Sequence, residues 1–359
     1  MTCTNMTIKI FRGITISLML GMLPLISLAQ KSMTIDKLID IYNNPIKYPD
    51  YIMVSAHRGY WKDVPENSLP AIEAAIDLGV DMVELDVTRT DYSENVLYLL
   101  HDWGLDRLTD GHGIVKKRIN GEINHYMRWE DIKDYHLRKS GGEVTDHTLP
   151  MLQDALLACR NKVLVSLDKV EDIIPEMYAM VKALGMVHQV TFKTKIQNFP
   201  NPESLKQLFP SVQDQYGIIT MFTPTIFAEV FESNPEGTIQ QMKNFMDAGC
   251  TGFEMIYFKD DDKMLTYPVT MGGKTYKNVL EWLKAENKRV IQFPSWPENE
   301  KGFWAPSEFK YKNINLTGND MRSDWDWLTQ PSHAPNLIIS DRLESLLEFL
   351  DIKGKRNYR

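Results

Sequence analysis

Residues 82–88 read Met82-Val83-Glu84-Leu85-Asp86-Val87-Thr88. Met82, Val83, Leu85 and Val87 make this run apolar on both faces, as in a strand buried within a parallel sheet. Glu84 and Asp86 are two residues apart, so a strand turns both carboxylates to one face. Carboxylates turned into a core are costly unless they meet a cation. Paired on one face, they suit a hard cation such as Ca2+ or Mg2+. The run therefore predicts a buried strand whose inner face binds metal.

Outward from it, seven similar runs recur: Ile52–Ala56, Val163–Asp168, Val190–Lys193, Gly217–Phe222, Gly252–Tyr257, Val290–Phe293 and Leu337–Ser340. Amphipathic helical stretches lie between them at Ser68–Leu78, Asp172–Leu184, Pro235–Ala248, Lys277–Glu286 and Arg342–Leu350. Eight strands alternating with helices over about 300 residues predict an α/β fold, a (β/α)8 TIM barrel. One further strand, Val96–His101, follows the second barrel strand after only Asp91–Asn95. A parallel crossover needs a dozen or more residues, so this pair is expected to be an antiparallel hairpin. It opens an insertion over about residues 96–149, with a short helical piece around Trp129–Tyr135.

The chain has 359 residues, 43% hydrophobic and 25% charged, which excludes disorder and coiled coil as the main architecture. Lys and Arg total 40 against 48 Asp and Glu, a net charge of -8. That balance argues against nucleic acid as a partner. Three cysteines make neither a disulfide framework nor a zinc cluster, and the surroundings of Cys159 and Cys250 suit buried thiols. Lys9 and Arg12 precede an apolar run from Ile14 to Leu28, and Ser27-Leu28-Ala29 offers a small-x-small cleavage site. Residues 1–29 read as a signal peptide, with residues 30–359 as a single secreted or periplasmic domain lacking stable membrane insertion. The tail Lys353-Gly354-Lys355-Arg356 reads as a disordered basic end.

In a (β/α)8 barrel the active site lies at the C-terminal ends of the strands. The reactive side chains of this sequence fall there. The first strand runs into His57-Arg58-Gly59, the hairpin strand into His101-Asp102, and the third barrel strand into Asp168-Lys169. Lys193 ends the fourth and is a candidate substrate contact. Trp296, Trp304, Trp325 and Trp327 make the late loops aromatic, and Trp296 is a candidate contact for a sugar, inositol or choline head group. Pro65-Glu66-Asn67-Ser68 has a plain reading as a turn and helix cap.

These runs, His57-Arg58-Gly59, Pro65-Glu66-Asn67-Ser68, Glu84-Leu85-Asp86-Val87, and His101-Asp102 with Leu105, Arg107 and Thr109, resemble the glycerophosphodiester phosphodiesterase family. Ile338-Ile339-Ser340-Asp341-Arg342 resembles its closing strand. The likeness is dense over residues 52–114, fainter over 149–194 and sparse from 200 to 335. It implies a TIM barrel with a small insertion. It also implies His57 and His101 as the general acid and base, Glu84 and Asp86 as ligands of one divalent cation, and Arg58 and Lys169 as phosphate contacts. Where the family carries Glu-x-Lys, this chain reads Leu167-Asp168-Lys169. Asp168 is one residue out of step and, as a third ligand, needs a bulge or a strand end to turn inward. The implied activity is hydrolysis of small glycerophosphodiesters to glycerol phosphate and an alcohol. The alternatives are a phospholipase C- or D-like or phosphoinositide-directed reaction, and an inactive barrel that binds head groups or glycans.

Overall fold

Alternation along the strands sorts the side chains into two cores. The computed structural model describes residues 33–215, 217–293 and 321–357, which lie in one compact unit, Met33–Arg359. The expected leader, residues 1–29, and Trp296 and Trp304 lie outside the described residues. Eight parallel strands form the barrel: β1 Met53–His57, β2 Met82–Arg89, β3 Leu164–Asp168, β4 Val190–Lys195, β5 Phe222–Phe227, β6 Gly252–Ile256, β7 Arg289–Gln292 and β8 Leu337–Ser340. Each pairs with its neighbours in chain order, and β1 pairs with both β2 and β8, so the sheet closes without an edge. The fold is the expected TIM barrel.

Val54, Ala56, Val83, Leu85, Val165, Leu167, Phe253 and Ile338 face outward and pack with helix residues such as Ile72, Ala75, Leu156 and Phe245. The alternate residues Met53, Met82, Leu164, Ile291, Leu337 and Ile339 form a separate inner core with Leu38, Ile41 and Tyr42 of helix α1, Ile35–Asn43. Helix α1 thereby plugs the N-terminal end of the barrel. Along the same inward rows the chemistry then changes: Met82 gives way to Glu84 and Asp86, Leu164 to Ser166 and Asp168, Met53 to Ser55 and His57. The interior is apolar at one end and charged at the other.

Two expectations need correction. The fifth strand is Phe222–Phe227, not Gly217–Phe222. Gly217 takes φ +74 and Ile218–Met221 is a 3-10 turn. The strand runs through Pro224, which pairs with Thr194, and the missing N–H of proline is what makes this run read as a break. The basic tail is also ordered. Arg356 is 9% exposed and donates to the carboxylate of Asp81, and Ile52 N–H donates to the Lys355 carbonyl.

The insertion begins as predicted, with Leu97–Leu99 antiparallel to β2. It carries more structure than the sequence suggests: hairpins pair Lys116–Ile119 with Glu122–His125 and His136–Arg138 with Val144–Thr148. Tyr98, Leu100, Leu105, Leu108, Val115 and Ile132 give it a small core of its own. Among the described residues no helix is long and apolar enough to cross a membrane.

Candidate active site

The charged mouth is assembled from strand ends. At the end of β1, Arg58 (φ +61) and Gly59 (φ +83) turn the chain sharply. A Cβ on Gly59 would lie 2.8 Å from the backbone of Ala71 in helix α2, Leu69–Leu78, so only glycine fits this approach. The turn lets Arg58 N–H donate to the Glu84 carbonyl at 2.9 Å and lays the guanidinium beside Asp86 (Nε–Oδ2 3.2 Å) and Glu66 (Nη1–Oε1 2.8 Å).

Pro65-Glu66-Asn67-Ser68 does more than cap a helix. Ser68 Oγ accepts from Ala71 N–H as the N-cap of α2. Asn67 clamps Asp86, its Nδ2 donating to Oδ2 at 2.9 Å while its Oδ1 accepts from Asp86 N–H at 3.0 Å. Glu66 is shared by Arg58 and Arg107, so it orients the Arg58 guanidinium. The sequence reading missed these roles of Glu66, Asn67 and Arg107, although all three lie in motifs it quoted.

Glu84, Asp86 and Asp168 each offer an oxygen within 4.8 Å of the others. Asp168 pairs with Asp86 and Ser166 with Glu84, so Asp168 stands in the inward row while Leu167 packs outside. No bulge is needed; the phase is set by the ladder with β2. Glu84 is fully buried, and its Oε1 accepts no hydrogen bond; Lys193 Nζ lies 3.6 Å away. Burial pushes the Glu84 carboxyl well up from its ordinary value, with Asp86 and Asp168 adding to the push against Lys193. Burial would also raise Asp86, but the positive charge of Arg58, then of His101 and Lys169, holds it below the carboxylate range. Three inward carboxylates with one orphan oxygen are the hard-oxygen donor set a divalent cation takes, so the residues present fit such an ion.

Lys193 lies deeper than a simple substrate contact would. Its ammonium is 3.0 Å from Asp168 and 3.3 Å from Glu254, and these carboxylates together with Glu84 hold it charged against the pull of burial. Glu254, on β6, thus faces inward, where its Oε2 also accepts from Thr225 Oγ1 at 2.7 Å.

The two histidines have different surroundings. His57 is 7% exposed, its ring tilts against Phe293, and Nδ1 is 2.8 Å from Asp341 Oδ1. Burial, then the charge of Arg58, pushes His57 well down from the usual histidine value. His101 is brought back beside β2 by the hairpin, where Leu100 N–H donates to the Asp86 carbonyl at 3.2 Å. Its Nδ1 is 2.6 Å from Asp102, which Arg107 grips with two N–H groups. A cavity of about 350 Å³ opens over this set, lined by His57, Arg58, Asp86, His101, Asp168, Lys169 and Lys193 among others. Every proposed site residue among the described residues therefore reaches one mouth, with Glu84 beneath it.

Residues 57–220 match the model of the Glycerophosphoryl diester phosphodiesterase family. Human glycerophosphodiester phosphodiesterase 1 is 31% identical over 159 residues, 42% of this chain and 47% of that protein. The glycerophosphodiester phosphodiesterase of Bacillus subtilis is 31% identical over 108 residues, 30% of this chain and 36% of its own length. The matches thus span about half or less of these curated relatives. Two solved structures share the fold. A glycerophosphoryl diester phosphodiesterase from Parabacteroides distasonis has a TM-score of 0.57 at 18% identity, covering 89% of this chain and 93% of that one. An Oleispira antarctica phosphodiesterase, solved with the product sn-glycerol-3-phosphate, has a TM-score of 0.52 at 18% identity, covering 85% and 99%. The matched segment carries His57, Glu84, Asp86, His101 and Asp168, and over that segment this chain is similar to the glycerophosphoryl diester phosphodiesterase family.

Proposed function

We propose that this protein is a metal-dependent phosphodiesterase that hydrolyses glycerophosphodiesters to glycerol phosphate and an alcohol. The observation that carries the reading is the meeting of three carboxylates, oxygens within 4.8 Å, with His57 and His101 at one cavity. A divalent cation, Ca2+ or Mg2+, held by Glu84, Asp86 and Asp168 would supply Lewis-acid polarisation and charge neutralisation.

The chain's own residues do the rest. Arg58, oriented by Glu66, offers a planar fork to a phosphate oxygen, and Lys169 offers a point charge. Asp341 accepts the His57 Nδ1 proton, which leaves Nε2 as the acceptor facing the cavity. His57 then takes the proton of the attacking hydroxyl, from water or from the neighbouring glycerol. The new bond to phosphorus forms as the bond to the leaving oxygen breaks; where the glycerol hydroxyl attacks, water then opens the resulting cyclic phosphate by a second such exchange to give glycerol phosphate. His101, paired with Asp102, gives that oxygen a proton. Such acid and base help is worth about 10²–10⁴ in rate.

The test is release of phosphomonoester from glycerophosphocholine and glycerophosphoinositol. His57→Ala and His101→Ala are each expected to lose about 100-fold or more in kcat while keeping the folded-state circular dichroism. Full activity in either variant removes that histidine from the mechanism. Export is part of the same proposal and is supported by the apolar run and cleavage site at residues 14–29. Exported protein beginning at Gln30 would bear it out; cell-retained protein beginning at Met1 would overturn it.

A further inference from the structure

The cavity has a second tier of cations that the reacting phosphate does not account for. Lys195 lies two residues beyond Lys193 on β4, hence on the same inward row and about 7 Å nearer the opening. Lys116 starts the first extra hairpin of the insertion, is only 3% exposed, and holds its ammonium 5.9 Å from the centre of the Trp103 ring. Lys169 leaves β3 at φ +60. All three line the cavity, as does Arg118.

Arg58 and Lys193 are already engaged by Glu66, Asp86, Asp168 and Glu254. Lys116, Lys169 and Lys195 have no carboxylate of the described residues within 4.0 Å. Two acids lie nearby. Glu171 is on the cavity wall, and Asp172 is held by His125 at 2.8 Å, which docks the hairpin carrying Lys116 onto the loop after β3. A buried ammonium without an anion at contact distance is costly, and this one stands in a chain of net charge -8. The cleaved diester carries one negative charge. The cation fitted by the carboxylates, with Arg58 and Lys169, answers it. Lys116 and Lys195 are left over.

We propose that these two lysines receive a second anionic group, a phosphomonoester on the head group of the substrate, with Trp103 as the apolar surface between the two phosphates. The assignment rests on reading the site as a phosphodiesterase. It excludes choline as the preferred head group, because a fixed cation would face a cationic wall.

The test compares kcat/KM of the full chain for glycerophosphoinositol phosphate, glycerophosphoinositol and glycerophosphocholine. A phosphorylated head group is expected to be preferred by about tenfold or more. Lys195→Met, at an exposed position, and Lys116→Met are each expected to shrink that ratio, the loss falling on KM, and Lys116→Arg to restore it. Inorganic phosphate at the second site would compete more strongly in wild type than in Lys195→Met; equal inhibition of both would mean that it binds only where the product phosphate does, and would overturn the proposal. Equal use of the two inositol substrates, or faster turnover of glycerophosphocholine, overturns the head-group assignment alone. No turnover of any of the three overturns the parent reading and this one with it.

Discussion

Lys193 and Asp168 show how a single residue's meaning depends on its partners. In the sequence Lys193 closes the expected strand and reads as a hand for substrate, yet in the structure its ammonium sits among Asp168, Glu254 and Glu84. It balances charge where the divalent cation would bind. Replacing it by methionine leaves the buried Glu84 and Glu254 and the half-buried Asp168 without their shared ammonium. Lys193→Met is therefore expected to lose about 3–5 kcal/mol of stability without metal. Added Ca2+ or Mg2+ should recover more of its Tm than the same ion adds to wild type. Equal metal-induced shifts would show that Lys193 does not share the cation's site. Asp168 was legible as a residue but not in its direction. Its phase comes from pairing with Asp86, a contact across 82 residues of sequence that no local pattern reports. Glu254 was harder still, because it is one carboxylate inside a strand with no neighbouring motif to mark its face, and the closing-strand motif around Asp341 does not report its contact with His57 across 284 residues.

The elements were mostly visible where hydrophobic period and caps agree. Helix α2 begins at Leu69 with Ser68 as its cap and ends at Gly79 in the left-handed region, as Ser68–Leu78 predicts. β5 was displaced because Pro224 reads as a break. The hairpins of the insertion were missed because Lys116–Ile119 and Val144–Thr148 are short, polar and largely exposed. A pH prediction belongs at this scale. In the helix Val279–Ala285, burial pushes Lys284 down to about 8. Its unfolded value is about 10.4. Between those values the unfolded chain binds more protons than the folded one, so this group makes stability rise with pH. The urea midpoint of wild type should gain on that of Lys284→Met as pH climbs from about 8 to about 10. A constant difference between the two would contradict the burial of this ammonium.

The whole barrel depends on closure at both ends of the chain. Helix α1 fills the N-terminal end of the barrel, and the last described turn returns beside it. Asp81, fully buried, accepts from Tyr51 Oη at 2.7 Å, from Val54 N–H at 2.7 Å and from Arg356. This network ties the chain's C-terminal region to the start of β1 and β2. Arg356→Met would leave the Asp81 charge buried with neutral donors alone, at a cost of about 3–5 kcal/mol. Thermal unfolding measures it; an unchanged Tm would mean that the tail contact contributes nothing. The sequence reading missed this because a basic run with glycine has the composition of a loose end, and its partner lies 275 residues away.

At the same scale, an acidic chain carries a locally cationic mouth over an acidic floor, an arrangement that suits the proposed pairing of a divalent cation with an anionic diester. The most direct measurement is phosphorus NMR of glycerophosphoinositol incubated with the full chain. The diester signal should convert to a phosphomonoester with Ca2+ or Mg2+, stop on addition of chelator, and slow sharply in Asp168→Asn when metal is limiting. No conversion with either ion, or conversion that a chelator leaves untouched, would contradict the account.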